Sequence, residues 1–120
     1  MATFSRIHLS SSTGGQPITV AATATPGTNV HTTGVATTTF DEVYLWAHNS
    51  SDAAVKLTVE YGGTGDPQHH VEVTVQPESG LVMVLPGLSL SGDGVAGRSV
   101  KAFAGTANVI TVVGHVNRIA

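Results

Sequence analysis

The sequence predicts a single all-β domain: an antiparallel β-sandwich, jelly-roll-like, with about eight strands. Three observations carry that expectation. Runs of alternating apolar and polar residues, rich in Val, Ile and Thr, recur along the chain, and such side chains are stiff at χ1 and fit a pleated surface. Turn signals separate the runs roughly every 8–12 residues, the spacing of sandwiches and small barrels. No window of a dozen residues keeps apolar side chains at helical spacing without an intervening Gly, Pro or β-branched residue.

Taken in order, FSRIHLS (residues 4–10) reads as a first strand, so that residues 1–12 form an N-terminal arm and first strand and residues 13–120 the sandwich. SSTGGQP is a loop, and ITVAATA (residues 18–24) is a second strand stopped by TPGT. Residues 29–39 hold one irregular strand. FDEVYLWAHN (residues 40–49) is the clearest element, with Val43, Leu45 and Ala47 on one face and Glu42, Tyr44, Trp46 and His48 on the other. SSDA makes a turn. AVKLTVEY (residues 54–61) then places Val55, Leu57, Val59 and Tyr61 opposite Lys56, Thr58 and Glu60, and the two runs read as an antiparallel hairpin. HVEVTVQ (residues 70–76) alternates with Val71, Val73 and Val75 inward. LVMVLP (residues 81–86) is apolar on both faces, as suits a strand between layers or under a neighbour. GLSLSGDGVAG (residues 87–97) is a flexible glycine loop. SVKAFAG (residues 99–105) and NVITVVGHVNRI (residues 108–119) close the chain as a second hairpin.

Composition narrows the function classes. The 120 residues suffice for one domain, and the absence of cysteine excludes disulfides and thiolate metal sites. The five cations, Arg6, Lys56, Arg98, Lys101 and Arg118, are scattered through a chain of formal charge -3, so no basic stripe addresses nucleic acid. No apolar run reaches bilayer length, and MATFSRIHLSSS lacks the apolar core of a secretory signal. The expectation is a soluble chain synthesised in the cytoplasm, with no membrane partner. Only 11% of residues are charged, well under the usual quarter. Such a Thr-rich surface fits a protein partly covered by neighbours in an assembly.

The most chemical-looking stretch is GTGDPQHH (residues 63–70). Neighbouring residues of a strand point to opposite faces, so His69 and His70 make a poor chelate, and the stretch reads as a solvated loop tip. His8, His31, His48 and His115 are far apart in sequence and read as separate polar positions. Asp41 and Glu42 alternate faces and read as solvated charges at a strand entry. The serines at 10–12 and the SGDG segment lack a strained nucleophile elbow or a calcium loop. No catalytic, cofactor-binding or metal-ligating residue is therefore predicted. Tyr44 and Trp46 admit three readings: core of the second layer, anchors of a protein interface, or a platform for sugar. The candidate protein-contact residues are Phe4, Arg6 and His8 in the arm, Tyr44 and Trp46 in the central strand, and Asp66, His69, Leu88 and Leu90 in two loop regions, 62–69 and 87–97.

Three segments carry a resemblance: GGQPI, FDEVYLWAHNSSDAAVKLTVEYGG and ANVITVVGHVNRI. The aromatic strand, the Asn-Ser turn, the strand closing on EYGG and the final G-x-V-N-R-I are similar to small virion structural proteins of tailed bacteriophages, found among head-gene products. The resemblance spans residues 14–119 and rests on structural motifs. It implies a virion protein of the capsid surface, a decoration (cement) protein bound to the major capsid protein, without catalytic residues or cofactor. A homo-oligomer is expected, a trimer suiting threefold positions of a shell. The alternatives are a glycan-binding β-sandwich module and a head-fibre, tail or baseplate component.

Overall fold

Nine strands form among residues 3–120, which a computed structural model describes. Met1 and Ala2, the start of the expected arm, lie outside the described residues. The strands are β1 (Phe4–His8), β2 (Ile18–Thr19), β3 (Thr28–Thr32), β4 (Phe40–Asn49), β5 (Val55–Tyr61), β6 (His70–Val75), β7 (Val82–Leu90), β8 (Ser99–Ala104) and β9 (Ile110–Ile119). They build two sheets, β1-β9-β4-β7 with β2 also on β9, and β3-β8-β5-β6, every pairing antiparallel.

β4 occupies one edge of β9 along its whole length, so β1 and β2 share the other edge. They are one strand interrupted by the excursion of residues 9–17. Counted so, eight strands remain, the first beside the last and the second beside the next to last, which is jelly-roll connectivity. Within the excursion, residues 10 and 11 cover the free edge of β3: Ser11 N–H donates to Val30 O at 3.2 Å and Thr32 N–H to Ser10 Oγ at 2.7 Å. The expected arm is thus largely part of the sandwich.

β4 supplies the frame. Its inward side chains, Asp41, Val43, Leu45, Ala47 and Asn49, are buried, and Glu42, Tyr44, Trp46 and His48 are half-buried on the outer side. The three apolar positions pack in one core with Leu57, Val59, Leu85, Val100, Val112 and Val116. The two polar ones tie the layers together. At one end the buried Asn49 amide donates to Ala53 O (2.8 Å) and Val75 O (2.9 Å), while its Oδ1 accepts from Ser51 N–H and Oγ–H. This turn carries the chain from one sheet to the other, so β4 and β5 are not the expected hairpin. β8 and β9 likewise lie in different sheets. An apolar face can be buried across the core as well as beside a neighbour, and alternation reports the face, not the sheet.

Two further elements differ from expectation. The second strand is two residues long because the chain then leaves the first sheet: Val20 N–H donates to Ile110 O, and two residues later Ala22 O accepts from Ala104 N–H in the second sheet. β7 continues through Pro86 and Gly87 to Leu90, where a loop is expected. It is an edge strand with register shifts against β4, the two settings in which a sheet tolerates proline. Gly87 has φ 94°, and a Cβ there would overlap the Tyr44 ring. The chain does not itself cover both apolar faces of this segment: Leu81, Met83 and Leu88 are exposed.

Because most connections change sheets, the loops gather at two ends. The end marked by Phe4 collects residues 33–39, 62–69 and 91–98, together with the starts of β1 and β4 and the end of β9. The opposite end collects residues 20–27, 50–54, 76–81 and 105–109.

Candidate functional site

Of the expected contact regions, the arm of residues 1–12, described from residue 3, reaches the Phe4 end only at its start, and the loops 62–69 and 87–97 meet it there. Among the described residues, five of the seven exposed large apolar side chains lie there: Phe4, Val35, Phe40, Leu88 and Val95.

Beneath this end lies a buried charge network. Ser10 N–H donates to His31 Nδ1 at 3.0 Å, so the neutral ring carries its proton on Nε2 and donates it to Asp41 Oδ2 at 2.8 Å. Arg118 completes the set with two bonds to Asp41, 2.7 and 2.8 Å long. Burial alone would raise the Asp41 carboxyl; the hydrogen bonds from Arg118 and His31 outweigh it and hold the group below the ordinary aspartate value. Asp41 and His31 are fully buried, which corrects the reading of Asp41 as a solvated strand entry and of His31 as an isolated polar position. The pair joins β3 of one sheet to β4 of the other. It has the orientation of a carboxylate–imidazole dyad, but the nitrogen that would serve a nucleophile is occupied by the Ser10 amide.

Above the network, two loops lock together. Asp93 Oδ1 accepts from Val95 N–H (2.8 Å) and Ala96 N–H (2.7 Å), which hold its carboxyl below the ordinary value. The Arg98 guanidinium donates to Ser91 O (2.9 Å) and Gly92 O (3.2 Å). Gly94 N–H donates to Val35 O, Thr33 N–H to Arg98 O, and Arg98 N–H to Thr33 Oγ1. A Cβ on Gly92 or Gly97 would overlap backbone carbonyl oxygens of residues 33–35, so these glycines serve close approach. The expected flexible loop is a hydrogen-bonded one, with Val95 at its tip 88% exposed and Val35 half exposed beside it.

Phe4, Arg6, His8, Tyr44 and Trp46 all fall on the outer face of the first sheet. The pairings Phe4–Ile119–Phe40, Arg6–Asn117–Glu42 and His8–His115–Tyr44 form successive rows. Phe4 is 73% exposed, and with Ser5, Arg6, Glu42 and Asn117 it lines a shallow depression of about 310 Å³. Tyr44 and Trp46 are not second-layer core. The Tyr44 and His115 rings lie 4.8 Å apart with planes 18° from parallel. Coplanar rings cannot come so close side by side, so the two stack with offset and cover part of each other's faces. Burial, then the nearby Arg6 charge, lowers the His115 pKa below its ordinary 6.5.

The histidine loop is not wholly solvated. His69 turns inward and accepts Gly65 N–H at Nδ1. The His70 side chain is only 11% exposed, with Nδ1 3.4 Å from Asp66 and Nε2 3.7 Å from the fully buried Glu60. Glu60, expected on an outward face, is covered because the crossing segment lies over it: Thr25 Oγ–H and Gly27 N–H donate to its carboxylate at 2.5 and 2.6 Å. A cleft of about 230 Å³ opens beside His70, Asp66 and Phe103. Leu88 is exposed, whereas Leu90 packs against the core, and a Cβ on Gly62 would press against it.

Among the described residues no three His, Asp or Glu side chains gather as metal ligands. Among the same residues no helix is long and apolar enough to cross a membrane. Comparison with protein-family models, with curated proteins and with solved structures finds no match to the chain.

Sequence reading named neither Val35 nor Phe40 as a contact candidate, covered Val95 only within the loop 87–97, and did not join His31, Asp41 and Arg118 as a unit. Val95 had a local signal, an apolar side chain in the middle of a Gly- and Asp-rich turn. The network had none, since its members are separated by 10 and 77 positions.

Proposed function

We propose that the chain is a virion structural protein that decorates a bacteriophage capsid, docking on the shell through its Phe4 end. The observation that carries this reading is the gathering of exposed apolar side chains at one end of a low-charge sandwich, two of them, Val35 and Val95, on hydrogen-bonded loops. Apolar groups concentrated on a prearranged surface mark protein contact sites. The jelly roll is a fold of capsid proteins and also of lectins and cupins, so fold supports the reading by analogy only. Repetition over a lattice adds weak contacts into firm attachment, and a trimer suits the threefold positions. Quantitative mass spectrometry of purified particles is the test: fixed stoichiometry with the major capsid protein supports decoration, and absence from the particles defeats it.

The outer face favours a second reading, a glycan-binding module, because Tyr44, Trp46 and His115 cluster there. Mutual stacking of Tyr44 and His115 reduces the ring surface left for a sugar. Trp46 fluorescence, titrated against a glycan panel, separates the two readings: a saturable change supports the glycan module.

A further inference from the structure

We infer that Val95 and Val35 form a rigid apolar knob that seats in an uncharged, apolar-lined dimple on a capsid-shell protein. The inference rests on the decoration reading and names the chemistry of the contact. Val95 is the most exposed large apolar side chain among the described residues, and Val35 stands on the loop bonded to its own. An isolated valine on a mobile loop would say little. Here Asp93, Arg98 and the Gly94–Val35 bond fix the backbone on both sides of the tip, so docking orders little that is not already ordered.

Charge defines the partner. The two charged side chains of this loop are exposed, opposite in sign and near enough to interact, and each is partly held by backbone: Asp93 by amides, Arg98 by carbonyls. Asp41 and Arg118 beneath them neutralise each other. The two charges flanking the knob cancel, so it carries no net charge, and a partner surface of either sign would lose hydration with little net compensation. A convex, neutral, apolar tip fits a concave surface of the same character, and binding should respond weakly to salt.

The experiment uses heads purified from a phage mutant lacking this gene. Wild-type protein should bind them with affinity unchanged within about three-fold between low and high salt. Val95→Ala removes two methyl groups and should weaken binding about ten-fold, at roughly 0.8 kcal/mol per buried methylene-sized group. Val95→Asp should weaken it at least a hundred-fold, while Leu81→Asp, at the opposite end, leaves it within two-fold. The chain has no cysteine, so Val95→Cys carries a single environment-sensitive dye, whose emission should shift to the blue on docking. Unchanged melting of each variant confirms folding. Wild-type protein that fails to bind overturns decoration and the knob together. Wild-type binding that Val95→Asp leaves intact overturns the knob alone. Oligomers in particle-free solution that Val95→Asp dissociates identify a second copy as the occupant and overturn the shell dimple.

Discussion

Replacing Asp41 by Ala removes the acceptor of three hydrogen bonds, two from Arg118 and one from His31. His31 is fully buried, and an unpartnered donor in such a place costs about 1–3 kcal/mol. The Arg118 side chain is 31% exposed; it regains part of its hydration, and the loss on its side is nearer about 1 kcal/mol. The sum is about 3 kcal/mol, at the lower edge of the range for removing one partner of a buried pair. An unfolding entropy of about 2.1 cal/mol/K per residue gives about 250 cal/mol/K for a chain this long, so the melting temperature should fall by about 12 °C.

The pH dependence sharpens the test. The Asp41 pKa is lowered by folding, so the carboxylate contributes in full above its unfolded value near 3.8 and loses that contribution as pH falls through the folded value. Scanning calorimetry of wild type and Asp41→Ala should show a full gap at pH 7 that narrows only below about pH 4. A drop smaller than about 3 °C, or a gap that persists unchanged into strong acid, would refute the assignment of this network as a tie between sheets.

Other outcomes follow from single contacts. Asn49→Leu leaves the buried Val75 carbonyl, the partly buried Ala53 carbonyl and the Ser51 donors without their amide and should destabilise by about 1–3 kcal/mol in urea unfolding. Gly114→Ala should yield little folded protein, because a Cβ would overlap the Tyr44 carbonyl oxygen in the middle of the sheet; Gly34→Ala, with open space around it, should be neutral or stabilise by up to about 1 kcal/mol. NMR titration should find His115 protonating below 6.5. Since its folded pKa is depressed, protonation favours the unfolded chain, and stability should decline as pH falls from 6.5 to the folded value.

Local pattern revealed the strands and their inward faces. The alternation in FDEVYLWAHN predicts the bounds of β4 and the direction of its apolar side chains because both depend only on neighbours in sequence. Which sheet a strand joins was not legible. The Asn49 turn joins layers although SSDA has ordinary hairpin chemistry, and the deciding bond is to Val75, 26 residues away. Burial of polar groups was hidden for the same reason. Glu60 occupies a solvent position by alternation and is buried by a segment 33–35 residues earlier in the chain. Asp41 reads as exposed until Arg118 and His31 are brought to it. The contact candidates had a different basis: residues 1–12 were named as an N-terminal arm and the loops 62–69 and 87–97 as glycine-bearing loops, whereas their meeting at one end depends on the jelly-roll path.

Magnitudes limit what the Phe4 end can do alone. Fully burying one valine is worth about 1.5–3 kcal/mol, so the Val35–Val95 knob supplies about 3–6 kcal/mol at most. Association of two bodies costs about 4–15 kcal/mol in lost freedom. Under the decoration reading, the proposed knob alone would therefore not hold a lone copy firmly on a shell. Firm attachment requires either that Phe4 and Phe40 join the same contact or that several copies dock together, each raising the effective concentration of the next. The rigidity of the frame matters in both cases. Knobs presented at a fixed angle engage a lattice together, whereas mobile ones would lose that gain to ordering. The sheet-to-sheet tie at Asp41 lies under the end where contact is proposed, and loosening it should weaken docking beyond what surface substitutions alone produce.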